Sequence, residues 1–193
     1  MWRVLIALLL IPQALAAGEV AVDAARSGGA IDVSAHADLD VDVGTAWQVL
    51  TDYDRYASFI PGLAVSRVVT RDATSAIVEQ KGEARFLFFR YPIEVRLAVA
   101  EVPLRSVTSH AIGGNLRELR GRYELEPLSR GVRLHYTGRI VLAEDPPGLI
   151  DVTAVRLNVA RQFEALVHEI ERGSGVTGAR SQPDAGEATP NKG

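Results

Sequence analysis

A chain of 193 residues with 21 basic against 24 acidic side chains and 47% hydrophobic residues is long enough for one domain with a full apolar core. Its net charge of −3, with acids interspersed among the arginines and Lys81 and Lys192 the only lysines, excludes the basic stripe that nucleic acid binding needs. The sequence has no cysteine, which excludes disulfide stapling, thiolate metal sites and a lipidated cysteine anchor; the fold must rest on apolar burial.

The N-terminal MWRVLIALLLIPQALAA places one charge, Arg3, before an apolar run and ends on the small-residue pattern Ala14-Leu15-Ala16. This layout predicts a signal peptide over 1–17 and export, to the periplasm in a bacterium. The uncharged run Val4 to Ala17 is shorter than the roughly 20 residues of a membrane span. Residues 18–29 are expected to form a loose lead-in, and 30–172 a single domain. From Gly173 the chain turns to Gly, Ser, Pro and charge without periodicity, which predicts a disordered tail over 173–193.

Ile31 to Val43 alternates strictly: Ile31, Val33, Ala35, Ala37, Leu39, Val41 and Val43 against Asp32, Ser34, His36, Asp38, Asp40 and Asp42. That period of two predicts a long antiparallel strand with one dry and one wet face. GTAWQVLTDYDRYASFIPG then changes period. Thr45 with Gln48 fits a capping box, Asp52 or Asp54 can cap a second short helix, and Pro61-Gly62 ends it. Six further strands follow: LAVSRVVTRD, SAIVEQKGEARF, the run around Ile93 to Val99, VTSHAI, LRELRGRYELEP and GVRLHYTGRIVL. Asp145 and Pro146-Pro147 permit a last helix, on which Val152, Val155, Val159, Phe163, Leu166 and Ile170 form one continuous stripe.

Catalytic chemistry has no signature in this pattern. The histidines His36, His110, His135 and His168 show no ligand spacing, so no metal is expected. No serine stands in a nucleophile elbow, and no cofactor motif is present. Strand parity sends nearly all acids to faces that meet water, where a general acid or base would not be sheltered.

Strand, two short helices, six strands and a long helix resemble the helix-grip fold of birch pollen allergen and START-like proteins. At residue level the chain is similar to the polyketide cyclase/dehydrase and coenzyme Q-binding branch of the SRPBCC superfamily. The likeness rests on VDVGTAWQVLTDYDRYASFIPGLAVSRVV, GNLRELRGRYELEPL and PPGLIDVTAVRLNVARQFEALVHEIE, which together cover nearly all of 30–172. The resemblance implies an α+β domain in which a seven-stranded curved antiparallel sheet wraps around the C-terminal helix. It also implies a cavity between sheet and helix for a hydrophobic small molecule, with Tyr56, Phe59 and Ile60 near its rim. By parity Tyr123 and Tyr136 face inward, and Asn158 and Gln162 lie near the helix stripe; these are the polar groups able to hold a ligand's head.

The function expected first is an exported, non-catalytic binder or carrier of a lipid, isoprenoid quinone or acyl chain. A polyketide cyclase/dehydratase and a protein-interaction module with a filled cavity are the alternatives. FLFFRYP, with Phe86, Phe88, Phe89 and Tyr91 at a hairpin end, suits a tip that touches a membrane transiently, a cavity mouth or a protein contact.

Overall fold

The structure, a computed structural model, describes residues 19–85, 90–142 and 151–179. The alternating run becomes strand β2 (Ala30–Leu39), with Ile31, Val33, Ala35, Ala37 and Leu39 buried and Ser34, His36 and Asp38 exposed. It lies between β1 (Ala21–Ser27) and β8 (Val132–Leu142), antiparallel to both. Strands β3 (Leu63–Arg71), β4 (Ser75–Arg85), β5 (Arg90–Val102), β6 (Ser106–Gly114) and β7 (Leu116–Pro127) complete the sheet. Its order is β1-β2-β8-β7-β6-β5-β4-β3, a six-strand meander whose last strand receives β2. Outside, register sets Asp32 opposite Arg139 and Asp38 opposite Arg133, and both pairs are ion-paired. His36 and His135 also face each other there, their ring centroids 6.1 Å apart.

The sheet therefore has eight strands, not the expected seven. The extra one is Ala21–Ser27, expected as part of a loose lead-in. Gly28-Gly29 is a two-residue hairpin loop, with Gly28 at φ +61°, and it sets Ser27 opposite Ala30. That is the turn chemistry of a tight hairpin. The strand itself escapes parity reading because AVDAARS hardly alternates.

Strand β2 also stops at Leu39, short of the expected Val43. Asp42 is needed as the cap of α1 (Val43–Thr51): its carboxylate accepts the Thr45 N–H at 2.9 Å and the Thr45 hydroxyl. These two bonds, hydroxyl first, hold the Asp42 carboxyl below its usual range, and its charge suits the helix N-terminus. The expected Thr45–Gln48 capping box is thus replaced by an aspartate one turn earlier. A 3₁₀ turn (Tyr53–Arg55) and the single-turn α2 (Tyr56–Phe59) follow. Neither Asp52 nor Asp54 caps them through its side chain; Asp54 instead accepts the Val68 N–H of β3 at 2.7 Å. Helix α3 (Val152–Ala179) continues past Gly173, where the disordered tail was expected to begin. Residues 1–17, expected as a signal peptide, Phe86–Phe89, Asp145 with Pro146-Pro147, and the segment from residue 180 lie outside the described residues.

Helix α3 crosses the concave face, and the apolar core beneath it is in two parts. A large cluster joins Phe163, Leu166, Val167 and Ile170 of α3 to Leu39, Leu50, Val132 and Leu134. A small one joins Val155 to Ile31 and Val33 near the helix's start. The apolar stripe is thus used twice, its second half sealing the large cluster while Val155 and Val159 pack with the small one.

Glu169 anchors the sealed end. Only 8% exposed, it accepts bonds from Arg172 one turn on and from Arg55 of the 3₁₀ turn at 2.7 Å. Arg172 first, then Arg55, holds its carboxyl below the usual range. A carboxyl depressed on folding contributes stability that is complete above its unfolded value, roughly pH 4.3, and is lost as pH falls through the folded one. Glu169→Gln should lower stability near neutral pH by roughly 1–2 kcal/mol, since both arginines are half-exposed and screened. It should also flatten the loss of stability on acidification. Superimposable urea-unfolding curves for both proteins from neutral to acid pH would contradict the tie.

Candidate functional site

Between the two core clusters lies a cavity of ≈ 260 Å³, just below the range usual for small-molecule pockets. Its ceiling is α3, through Val155, Asn158, Val159 and Gln162. Its floor is the inward parity of the sheet: Leu97 and Val99 of β5, Leu119 and Tyr123 of β7, Tyr136 and Ile140 of β8. The end wall comes from Tyr53, Tyr56 and Ile60. The turn after α2 closes against β4, with Gly62 at φ +80° and its carbonyl accepting the Glu83 N–H at 2.7 Å. A Cβ at Gly82 would stand 2.2 Å from that same oxygen, so both glycines are required for the approach.

Six of the seven residues singled out from sequence, Tyr56, Ile60, Tyr123, Tyr136, Asn158 and Gln162, line this cavity. Phe59 does not. It packs edge-on against Tyr56, centroids 5.5 Å apart, as part of the surrounding core. Being on the wall does not make a group free for a ligand. The Tyr56 hydroxyl donates to the Leu50 carbonyl at 2.7 Å. Asn158 is a clamp: its amide donates to the Arg85 carbonyl at 2.8 Å and to Ala154, while its oxygen accepts the Arg85 N–H at 3.2 Å. It thereby ties α3 to the end of β4. Gln162 reaches the Pro61 carbonyl at 3.4 Å.

Tyr123 and Tyr136 are different. They are a cross-strand pair in register, rings tilted by 37° with centroids 4.7 Å apart. Neither hydroxyl has a hydrogen-bond partner among the described residues, yet neither is a buried orphan. Both side chains sit deep in the molecule but keep part of their surface open, and that surface faces the cavity. Burial pushes the Tyr136 phenol up to about 12 and the Tyr123 phenol well above its ordinary value, the latter helped by Tyr136 and Tyr56 nearby. Two glycines opposite each other, Gly121 and Gly138, give the Tyr136 ring its place: a Cβ on Gly138 would lie 2.5 Å from the Tyr136 oxygen.

Sequence reasoning passed over Tyr53, Gln80 and Ser109, all on the wall, where Tyr91 of the FLFFRYP stretch also lies. Gln80 and Ser109 were legible, since each shares parity with a buried valine two residues away, Val78 and Val107. Tyr53 was hidden by its irregular backbone. Its hydroxyl donates to Glu101 at 2.8 Å, and Arg71 binds the same carboxylate and stacks 5.4 Å over the ring. Glu83 is the one carboxylate on the described wall, paired with Arg85 and Arg90 outside it. No histidine, lysine or arginine lines the described wall. No cluster of metal-ligating side chains occurs among the described residues, and no helix there is long and apolar enough to cross a membrane.

The family described as polyketide cyclase / dehydrase and lipid transport matches this chain over residues 39–170. No curated protein matches it at a significant level. Among solved structures, a Thermus thermophilus protein is similar at TM-score 0.63 and 12% identity, over 76% of this chain and 98% of its own. A STAR-related lipid transfer protein fragment from Xanthomonas axonopodis follows at 0.60 and 14%, over 80% and 98%. The Zhui aromatase/cyclase from a Streptomyces species superposes at 0.57 with 13% identity, over 82% and 99%. At these identities the structural likeness speaks for the fold alone.

Proposed function

From a chain that belongs to the polyketide cyclase/dehydrase and lipid transport family, we propose a binder or carrier of a hydrophobic small molecule, held between sheet and α3. One observation carries this reading: the apolar core is interrupted by a walled cavity under the first half of the helix's own apolar stripe. A side-chain-filled core would have been more stable, because each buried methylene contributes about 0.8 kcal/mol. The same increment, repeated along an aliphatic ligand, supplies affinity without specific polar contacts. A carrier suits the described wall better than a cyclase does, since the one carboxylate among its described residues is ion-paired and the free phenols are poor bases.

The reading extends to export. The Arg3 and Ala14-Leu15-Ala16 layout supports removal of the first 17 residues, and an apolar cargo needs shielding to cross an aqueous compartment. Native mass spectrometry of protein gently purified from its own host tests both parts. A processed polypeptide with an adduct that organic extraction identifies as an apolar molecule is the expected result. A bare protein that also takes up no fluorescent lipid would refute the carrier. An unprocessed N-terminus in the recovered protein would refute export.

A further inference from the structure

Resting on the carrier reading, we propose that the cavity selects a neutral ligand bearing a carbonyl oxygen, which the Tyr123 and Tyr136 hydroxyls bind by donation, and rejects the corresponding carboxylate. The first argument is elimination among the wall's polar groups. Tyr53 and Tyr56 spend their hydroxyls on Glu101 and Leu50. Asn158 spends its amide on Arg85 and Ala154, and the Gln80 amide donates to Ser66. The Gln162 amide donates to the Pro61 carbonyl at 3.4 Å, and the Ser109 and Tyr91 hydroxyls lie at the limit of reach, each 3.5 Å from a carbonyl, of Gly121 and Asn115 respectively. Two donors remain without a partner among the described residues, the phenols of Tyr123 and Tyr136.

The second argument is the sign of the charge. A carboxylate or phosphate taken into an apolar cavity must meet a cation or lose several kcal/mol of hydration. The described wall offers no cation, and its single charge, Glu83, is itself negative. Arg85 and Arg90 stand outside the wall and are already committed to Glu83. A neutral carbonyl needs only donors. Burial keeps both phenols protonated far into the alkaline range, so they remain donors at any physiological pH.

Displacement of Nile red by methyl laurate and by laurate at pH 8, from the wild-type protein and from the Tyr123→Phe/Tyr136→Phe double variant, tests the proposal. Nile red binding itself reports whether the cavity takes an apolar molecule. Methyl laurate is expected to bind at least about thirtyfold more tightly than laurate. The double variant should bind the ester roughly tenfold more weakly than wild type. Its melting temperature should be unchanged, because neither hydroxyl bonds to any of the described residues. Laurate binding as tightly as its ester, or a double variant that holds the ester at wild-type affinity, overturns the proposal. If Nile red and both laurates fail to bind the wild type, the carrier reading falls and this inference with it.

Discussion

Gly138→Val is expected to weaken ligand binding by about a hundredfold or more while leaving a folded protein. Gly138 faces the cavity side of β8 opposite Gly121 of β7, and the Tyr136 ring lies across both. A Cβ at Gly138 would stand 2.5 Å from the Tyr136 oxygen and 2.9 Å from the ring carbon that bears it. Real contacts of that kind are not tolerated, so the ring must move. Strand backbone lies beneath it, and the space open to it is the cavity. Valine adds its own methyls to the volume the ring takes. In a cavity of ≈ 260 Å³, a displaced tyrosine ring removes much of the room for a ligand. Overpacking costs about 1–3 kcal/mol of stability, which a domain of this size can absorb. Nile red titration checks the outcome, with Gly113→Ala as control, since a Cβ there meets nothing within 4 Å. Wild-type affinity in a folded Gly138→Val protein would show that ligands do not occupy this cavity.

The second large effect falls on stability. Phe163→Ala should cost roughly 3–5 kcal/mol, because it opens a void in the sealed half of the core. Phe163 is 2% exposed and is among the largest fully buried side chains. It packs in the cluster that joins α3 to Leu39, Leu50 and Leu134. Val159→Ala, one turn earlier on the same stripe, should cost about 1 kcal/mol or less, since its side chain already borders empty space. The contrast separates packing from pocket along a single helix. Urea unfolding of both variants measures it. Equal losses would mean that the stripe is packed uniformly and that the cavity is closed in solution.

These expectations show how far sequence reading reaches. The period of two in β2, β7 and β8 placed their inner and outer faces correctly, because alternation follows from the pleat whatever the neighbours are. The same parity put Tyr123 and Tyr136 inside together. It could not foresee that Asn158 and Gln162 would turn to backbone carbonyls, since their partners Arg85 and Pro61 lie far away in sequence and meet them only on folding. Phe59 misled for a related reason: a single-turn helix has no periodicity from which to tell a cavity wall from the core behind it.

The chain's alternation and its helical stripe were enough to determine antiparallel strands and a last helix, each with one apolar face; that the sheet grips this helix was implied by the family resemblance. Alternation and stripe are local rules, satisfied within a few residues of the chain. The ends of elements were less secure, because competition decides them. Asp42 leaves the strand pattern to cap α1, and Gly28-Gly29 turns an unpatterned lead-in into an edge strand. The cavity itself belongs to the tertiary structure alone. Val159 and Phe163 sit on the same stripe with the same polarity, yet one borders a void and the other is sealed. Which is which depends on how far the sheet curves away from α3, a sum over eight strands that no single segment encodes.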